Sequence, residues 1–121
     1  MRVSEAAEVS GLSVDTIRFY EKEGLLPSVA RDQAGRRTFS AQDVEWLTLL
    51  YWLRETGMPL EQMRHFTELA KAGDATIPER KSIFIRHTKE LQRRKAAIER
   101  CEVVLAAKIA FYDRKRKGWK L

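Results

Sequence analysis

Apolar residues recur at helical spacing along almost the whole chain, and turn residues divide the pattern into five helical segments. The first two segments are short, covering residues 3–10 and 13–27, and Gly11 and Leu12 join them. Glycine tolerates a positive φ, and a leucine in the turn can plug a core. Two short helices joined in this way are typical of a helix-turn-helix. The alternative at this point is an ordinary helical hairpin in an unrelated fold.

The second helix has one face suited to burial and one suited to contact with a partner. Ser13 is a good N-cap, Val14 and Ile17 supply apolar contacts, and Gly24 follows as a stop. We expect this helix to enter the major groove of DNA. The polar and charged residues predicted to reach outward are Thr16, Arg18, Tyr20 and Lys22.

Residues 28–39 break the helical periodicity and predict a small β-hairpin. A turn signal at residues 32–35 lies between Val29 and the pair Thr38 and Phe39, which places Gly35 at or near the tip. A basic hairpin directly after a helix-turn-helix is typical of a wing, which can touch phosphates or the minor groove. A solvated loop is the alternative explanation for its arginines, which are Arg31, Arg36 and Arg37.

The third helix is apolar on nearly all sides, so we expect it to be buried on more than one face. Ser40 and Asp43 resemble a capping box at its start. It contains Trp46 and Trp52. Two tryptophans on a short helix more often pack in a core or against a partner than bind a ligand. Pro59 suits the first position of the fourth helix.

A last helix is predicted from about Pro78 to Tyr112, because Thr76 and Glu79 form a capping pattern and no breaker follows. One apolar row recurs at every seventh residue, whereas the row beside it is poor in apolar residues. This pattern favours a short antiparallel pairing over a parallel zipper. An isolated helix would leave the apolar side chains of the row exposed to water. The row predicted to carry dimerisation is Phe84, Leu91, Ile98, Leu105 and Tyr112. The poor row is His87, Arg94, Cys101 and Lys108.

Length and composition fit one small domain at residues 1–73 and an extension at residues 74–121, with 44% hydrophobic and 33% charged residues. No apolar run approaches the ~20 residues of a membrane span, and the start lacks a secretory signal, so we expect a cytoplasmic protein without membrane association. The lone Cys101 excludes a disulfide framework and a multi-cysteine metal site. Because no nucleophile–base cluster, phosphate loop or metal motif appears, we expect no enzyme activity, metal or cofactor.

Charge is unevenly distributed along the chain. Residues 1–74 contain 9 Lys+Arg and 12 Asp+Glu, a net charge of −3, whereas residues 75–121 contain 14 and 5, a net charge of +9. Bulk charge therefore cannot establish DNA binding by the first part, which must depend on a few placed groups. The basic run at residues 114–117, with Trp119 behind it, is either a solvated end or a contact with DNA or a partner.

Over essentially its whole length the sequence resembles the MerR family of transcriptional regulators. The resemblance lies in VSEAAEVSGLSVDTIRFYEKEGLLP, in GRRTFSAQDVEWLTLLYWLRETGMPLEQMRHF and in the long terminal helix. It implies a mainly α fold with a winged helix-turn-helix head, two further helices and a long C-terminal helix that pairs antiparallel with its twin. The segment RETGMPLEQMRHFTELAKAGDATIPERKSIFIRH is similar to the branch that includes aldehyde- and thiol-stress regulators, although the helix after the wing lacks the cysteine that some of them use.

Two family signatures stand here in altered form. T-x-R-Y-Y is TIRFY at residues 16–20, so Phe19 lacks the hydroxyl of the first tyrosine. G-Y-R is GRR at residues 35–37, so Arg36 replaces the tyrosine of the wing. These departures can retune the preferred DNA site, and they leave the expected fold unchanged.

The residues predicted to contact DNA lie on the second helix and the wing. Arg18 is the best candidate for a direct contact, since a guanidinium can bind a guanine edge bidentately or clamp a phosphate. Asp15 and Thr16 lie where base edges are usually read, and Asp15 either accepts a cytosine amino hydrogen or repels phosphate. Tyr20 and Lys22, like the wing arginines, suit backbone contacts. The predicted set is Ser13, Asp15, Thr16, Arg18, Phe19, Tyr20, Lys22, Arg36 and Arg37.

The resemblance implies that a dimer binds a promoter whose spacer is too long for RNA polymerase, and then bends and untwists it. Expected partners are promoter DNA, a second copy and RNA polymerase, with an effector that the sequence does not identify. We hypothesise that residues 44–53 transmit the effector's signal, so that Trp46→Ala or Trp52→Ala alters transcription more than affinity. Cys101 either packs in the pairing helix or senses oxidants. The alternative functions are an architectural or excisionase-like DNA-binding protein and a coiled-coil interaction module.

Overall fold

The computed structural model describes residues 1–115, in which helices dominate and a single short hairpin follows the second helix. The chain forms two compact units, Met1–Phe84 and a second unit that begins at Ile85. This order of elements confirms the predicted mainly α fold with a winged helix-turn-helix head and a long terminal helix. The helices are α1 Val3–Ser10, α2 Val14–Lys22, α3 Ala41–Glu55, α4 Leu60–Lys71, a 3-10 turn at Asp74–Thr76, and α5 Ile77–Asp113. The hairpin strands are β1 Ala30–Arg31 and β2 Arg37–Thr38.

The turn between α1 and α2 has the geometry that its glycine predicts. Gly11 lies in the left-handed region at φ 87°, and its N–H donates to the carbonyl of Ala7. A Cβ at this position would lie 3.1 Å from the ring of Tyr51 on α3, so the glycine also permits a close approach of the two elements. Leu12 is buried in the core, as predicted. The turn therefore joins α1 to α2 and lies close to α3, against which α1 packs.

The α2 helix confirms the predicted cap and corrects the predicted orientation of one tyrosine. The Ser13 hydroxyl accepts the backbone N–H of Thr16 at 3.1 Å. Ile17 packs in the core as expected. Tyr20, predicted to reach outward, is 0% exposed, because it follows Ile17 by three residues and shares its buried face. The prediction that Tyr20 faces outward is wrong.

The wing is a minimal antiparallel hairpin. Ala30 pairs with Thr38 and Arg31 with Arg37. Gly35 has φ 80° in the turn, which agrees with its predicted place near the tip. Because two residue pairs make a short ladder, bonds from other elements must add to the stability of the wing. One such bond joins the Phe39 N–H to the carbonyl of Met1 at 2.7 Å.

The α3 helix forms the centre of the first unit. Ser40 and Asp43 make both hydrogen bonds of the predicted capping box. One face is buried through Val44, Leu47, Leu50 and Leu53. Trp46 is half-buried and stacks on Phe66 of α4, with ring centroids 5.0 Å apart, whereas Trp52 is 60% exposed. The two tryptophans of this helix therefore have different environments.

The start of α5 belongs to the first unit. Ile83 is buried in the core, and Phe84 packs on Phe66 with ring centroids 4.8 Å apart. The sequence divides the chain at residues 73 and 74, where the periodicity changes, whereas these contacts join the first turns of α5 to the head. The Thr76 hydroxyl donates back to the carbonyl of Leu69 at the end of α4. Phe84, assigned from the sequence to the pairing row, thus contacts its own chain.

The second unit is the remainder of α5, and it exposes apolar side chains. Of the predicted pairing row, Ile98 is 62% exposed, Leu105 55% and Tyr112 49%, while Leu91 is half-buried. Cys101 is exposed as well. The predicted basic tail reaches beyond Lys115, so most of it, with Trp119, lies outside the described residues. Among residues 1–115, none of the helices combines the length and the apolar character that a membrane-spanning segment needs.

Candidate nucleic-acid interface

The outward face of α2 carries most of the side chains that the sequence assigns to DNA contact. Asp15, Arg18 and Lys22 are exposed at spacings of three and four residues, so they lie along one face of the helix. Ser13 is exposed at the N-terminal end of this face and donates its hydroxyl proton to the Thr16 hydroxyl. Phe19 is 43% exposed beside this face. The helix therefore presents an acid, two bases and an aromatic ring to solvent.

A cleft of about 310 Å³ separates α2 from the wing. Its floor includes the apolar residues Val3, Ile17 and Phe39. Its remaining lining is dominated by guanidinium groups contributed from the chain before α1, from α2 and from the wing. The arginines that line it are Arg2, Arg18, Arg31, Arg36 and Arg37.

Two carboxylates hold the wing against the rest of the head. Glu21 of α2 pairs with Arg37 of β2. Asp32 pairs with Arg2 at 2.8 Å and with Arg36 at 3.5 Å. The backbone N–H of Arg36, followed by the Arg2 guanidinium, holds the pKa of Asp32 below its usual value of 3.8. Two of the wing arginines, Arg36 and Arg37, are therefore placed by ion pairs before any DNA is bound.

Arg18 differs from the wing arginines in its surroundings. No carboxylate of residues 1–115 lies within ion-pair distance of its guanidinium, although Glu21 lines the same cleft. Arg31, by comparison, donates to the carbonyl of Gly35 at 2.7 Å. An exposed guanidinium without a competing acid keeps all five donors for phosphate or for a guanine edge. The guanidinium of Arg18, predicted as the best candidate for a direct contact, is thus exposed to solvent and not engaged by an acid of residues 1–115.

Tyr20 has a role that the sequence pattern did not predict. Its buried hydroxyl accepts a hydrogen bond from Arg54 of α3 at 3.3 Å. This bond raises the pKa of Arg54. The exposed Arg54 lines a small cavity with Phe19, so Tyr20 anchors a basic residue of another helix close to the recognition helix. The signal for the burial of Tyr20 was its three-residue spacing from Ile17.

Sequence reasoning also missed Arg2 and Asp32. Arg2 lies outside the periodic part of α1, and Asp32 was interpreted only as part of a turn signal. The two residues in this contact are thirty positions apart in the chain, and no local sequence pattern predicts it. Within residues 1–115, no group of three or more histidine, cysteine, aspartate or glutamate side chains is placed to hold a metal ion.

Comparison with known proteins identifies the family of this architecture. Residues 1–69 match the family model described as MerR HTH family regulatory protein, and residues 44–108 match the model described as MerR, DNA binding. An uncharacterized HTH-type transcriptional regulator of Haemophilus influenzae is 45% identical over 111 residues, which cover 92% of this chain and 82% of that protein.

Solved structures agree with this result. The crystal structure of HiNmlR, a MerR family regulator lacking the sensor domain, bound to promoter DNA, is similar with a TM-score of 0.85 and 44% identity. The similarity covers 93% of this chain and 90% of that chain. A MerR family transcriptional regulator from Bacillus thuringiensis is similar with a TM-score of 0.80 and 26% identity, covering 91% of this chain and 96% of that chain.

Proposed function

This chain belongs to the MerR family of transcriptional regulators, and on that premise we propose that two copies of it bind one promoter as a homodimer. Membership makes it a DNA-binding regulator of a family that has no enzymatic activity. In this proposal, α2 of each copy enters the major groove, and the wing contacts the neighbouring phosphates. The effector is not part of the proposal.

The observation that carries the DNA-binding mode is the arginine-lined cleft between α2 and the wing. Residues 1–74 have a net charge of −3, so diffuse attraction to DNA is weak and affinity must come from this local concentration of positive charge. The likeness to HiNmlR, which is bound to promoter DNA, supports the same assignment. Arg18 and Asp15 face outward on α2, where base edges are read.

Substitution of Arg18 tests this mode. A duplex selected from a random pool by the wild-type protein serves as the probe, and dissociation constants are measured by fluorescence anisotropy. Arg18→Ala should weaken binding by about 1–3 kcal/mol because it removes a direct contact. Arg93→Ala is the control, since it removes the same charge from the second unit. Equal losses from the two variants would show that only bulk charge matters.

The proposal that α5 dimerises rests on the exposed apolar row of the second unit. Ile98 and Leu105 are both more than half exposed, and a single helix leaves them in water. Burying these side chains against a second copy stabilises the pair, whereas an exposed aspartate in the row opposes it. Pairing in the antiparallel sense agrees with the polar composition of the adjacent row.

A pair of substitutions on α5 tests dimerisation. Leu105→Asp should convert the dimer to monomer in sedimentation equilibrium. It should also weaken DNA binding, because a monomer contacts the DNA with one head instead of two. Val103→Asp is the matched control, since Val103 is 69% exposed but lies roughly 160° away around the helix at ~100° per residue. If Leu105→Asp stays dimeric, or if both variants dissociate alike, this row is not the interface.

We further propose that the bound dimer distorts an over-long promoter spacer for RNA polymerase. Smooth bending of a site of this size costs of order 1–6 kcal/mol, which contacts to the bent duplex must offset. Transcription in vitro from promoters that differ only in spacer length tests this step. Activation confined to the long spacer is expected, whereas binding without any spacer-dependent change would favour an architectural role.

Three aromatic rings in contact, two of them stacked and the third tilted, support the hypothesis that α3 transmits an effector's signal. Trp46 lies against Phe66 with an interplanar angle of 12°, and Phe66 contacts Phe84 in the first turns of α5. Trp52 takes no part in these contacts, and its ring contacts Tyr51 instead. Trp46→Ala is therefore expected to alter promoter activity more than DNA affinity, whereas Trp52→Ala should change activity less.

A further inference from the structure

The carboxylate of Asp32 joins parts of the head that are far apart in sequence. Its Oδ1 accepts the backbone N–H groups of Ala34 at 2.9 Å and Arg36 at 3.0 Å, which close the turn of the wing. Its Oδ2 pairs with the guanidinium of Arg2 at 2.8 Å. One side chain therefore shapes the tip of the wing and ties it to the residue before α1.

More than one contact holds the tip of the wing, and Asp32 supplies the one that reaches Arg2. The hairpin has only two residue pairs, and Arg37 belongs to the pair next to the turn. The ion pair of Arg37 with Glu21 therefore ties this end of the wing to α2. Within the turn, two backbone hydrogen bonds of Asp32 do not depend on its carboxylate. Loss of the carboxylate would remove its own two turn bonds and the link of the tip to Arg2.

We propose that Asp32 is a positioning residue of the DNA interface and that Arg2, which it holds in place, binds a DNA phosphate. Arg2 lines the same cleft as Arg18 and Arg36. This inference rests on the proposed DNA-binding function, and it adds one contact residue and the residue that orients it.

The charges and donors at this site favour a phosphate as the occupant. Asp32 faces two guanidinium groups, so the three side chains together keep one positive charge. A guanidinium has five donors and spends at most two on one carboxylate. The Arg2 side chain is 41% exposed and pairs with Asp32 through Nη2, whereas its Nη1 is buried and so lies out of reach of a phosphate. Arg2 can therefore remain bound to Asp32 and still donate to a phosphate oxygen.

The two ways in which Asp32 could affect DNA binding have opposite signs. As a bare negative charge close to DNA, it repels phosphate, and its removal would tighten binding to any duplex. As the residue that orients Arg2 and the wing tip, it helps binding, and its removal would weaken it. The sign of the change in affinity therefore separates a positioning role from bulk electrostatics.

The experiment compares Arg2→Gln, Asp32→Asn and the double variant with the wild type on a duplex that the wild type selects from a random pool. Asparagine keeps an oxygen for the Ala34 and Arg36 N–H groups but loses the charge that holds Arg2. Glu90→Gln is the control, because it removes one exposed acid that is also paired with arginine, in the second unit. Dissociation constants are measured as a function of salt concentration, and melting temperatures are recorded for every protein.

Arg2→Gln should raise the dissociation constant about threefold to tenfold and should reduce the slope of log affinity against log salt by about 1, as loss of one phosphate contact does. Asp32→Asn should weaken binding by a similar factor, and the double variant should bind no worse than Arg2→Gln, because both changes remove the same contact. Glu90→Gln should bind as the wild type does.

Three outcomes would overturn the inference while leaving the proposed function intact: tighter binding by Asp32→Asn, additive losses in the double variant, or an unchanged salt slope in Arg2→Gln. Arg2→Gln leaves the turn bonds of Asp32 in place, so it decides the matter even if Asp32→Asn melts at a lower temperature. If the wild-type protein selects no duplex at all, the proposed function itself fails.

Discussion

Replacing Trp46 by phenylalanine tests how α3 and α4 hold the segment that follows α2. The indole N–H of Trp46 donates to the carbonyl of Leu25 at 2.8 Å, and Leu25 is fully buried. Phenylalanine can still stack on Phe66, but it has no donor. The substitution therefore removes one hydrogen bond and part of a ring while leaving the stacking partner in place.

The cost of this change depends on a second donor to the same carbonyl. The hydroxyl of Thr67 lies 3.3 Å from the Leu25 oxygen and 2.9 Å from the Met63 oxygen, and its one proton can serve only one of them well. When the indole donor is gone, Thr67 can turn its proton to Leu25. We therefore expect Trp46→Phe to cost about 1–2 kcal/mol, from one net hydrogen bond of roughly 0.5–1.5 kcal/mol plus a small packing loss.

Removing both donors should cost more than the two single changes together. Thr67→Val alone should cost about 0.5–1.5 kcal/mol, because the indole still satisfies the Leu25 carbonyl. In the double variant the buried carbonyl has neither donor, and the penalty for an unsatisfied group is about 1–3 kcal/mol. The double variant should therefore exceed the sum of the single losses by roughly 1 kcal/mol or more.

Urea denaturation followed by circular dichroism, at one fixed protein concentration, measures all of these free energies. Trp52→Phe is the matched control, since Trp52 lies on the same helix and is 60% exposed, and its loss should stay within about 0.5 kcal/mol. The reasoning is refuted if the two single losses add within about 0.3 kcal/mol, or if Trp46→Phe costs no more than Trp52→Phe.

Two further predictions concern a glycine pair and an exposed ion pair. Gly11→Ala should destabilise the protein by more than Gly35→Ala does in urea denaturation. Both glycines have a positive φ, but only at position 11 would the new Cβ lie against Tyr51. Equal losses would mean that this contact does not add to the cost of the substitution. Arg93 and then Arg94 lower the pKa of Glu90 to about 2, below the value of 4.5 expected in the unfolded chain. This pairing therefore stabilises α5 above pH 4.5, and the stabilisation is lost as the pH falls toward 2. Over that interval Glu90→Gln should lose less helicity than the wild type, as measured by circular dichroism. An acid titration identical to that of the wild type would contradict the assignment.

The sequence predicts helices and caps well because their causes are local. The caps at Ser13 and Ser40 were confirmed, since a capping side chain bonds a backbone N–H three residues away. The left-handed turn at Gly11 was confirmed for the same reason. The predicted outward orientation of Tyr20 was wrong although a local signal existed. Its polar hydroxyl suggested exposure, whereas its three-residue spacing from Ile17 places it on the buried face.

Contacts between distant positions could not be predicted in this way. The pair Arg2 and Asp32 forms only when the wing folds back on the start of the chain. A seven-residue row on α5 likewise does not say which surface it contacts, and Phe84 contacts the chain's own Phe66. Trp46 and Trp52 look alike in the sequence, but six positions turn a helix by roughly 240°, so their environments differ.

The close approach of Gly11 to Tyr51 also limits how this head can evolve. A side chain at position 11 would meet the Tyr51 ring at 3.1 Å, so position 11 is not free to vary while Tyr51 stays as it is. Asparagine tolerates the left-handed conformation better than other side chains do. Related sequences that carry asparagine at position 11 should therefore carry a smaller residue at position 51, and those that keep tyrosine at position 51 should keep the glycine. A change at position 11 is therefore expected only together with a change at position 51, forty residues away.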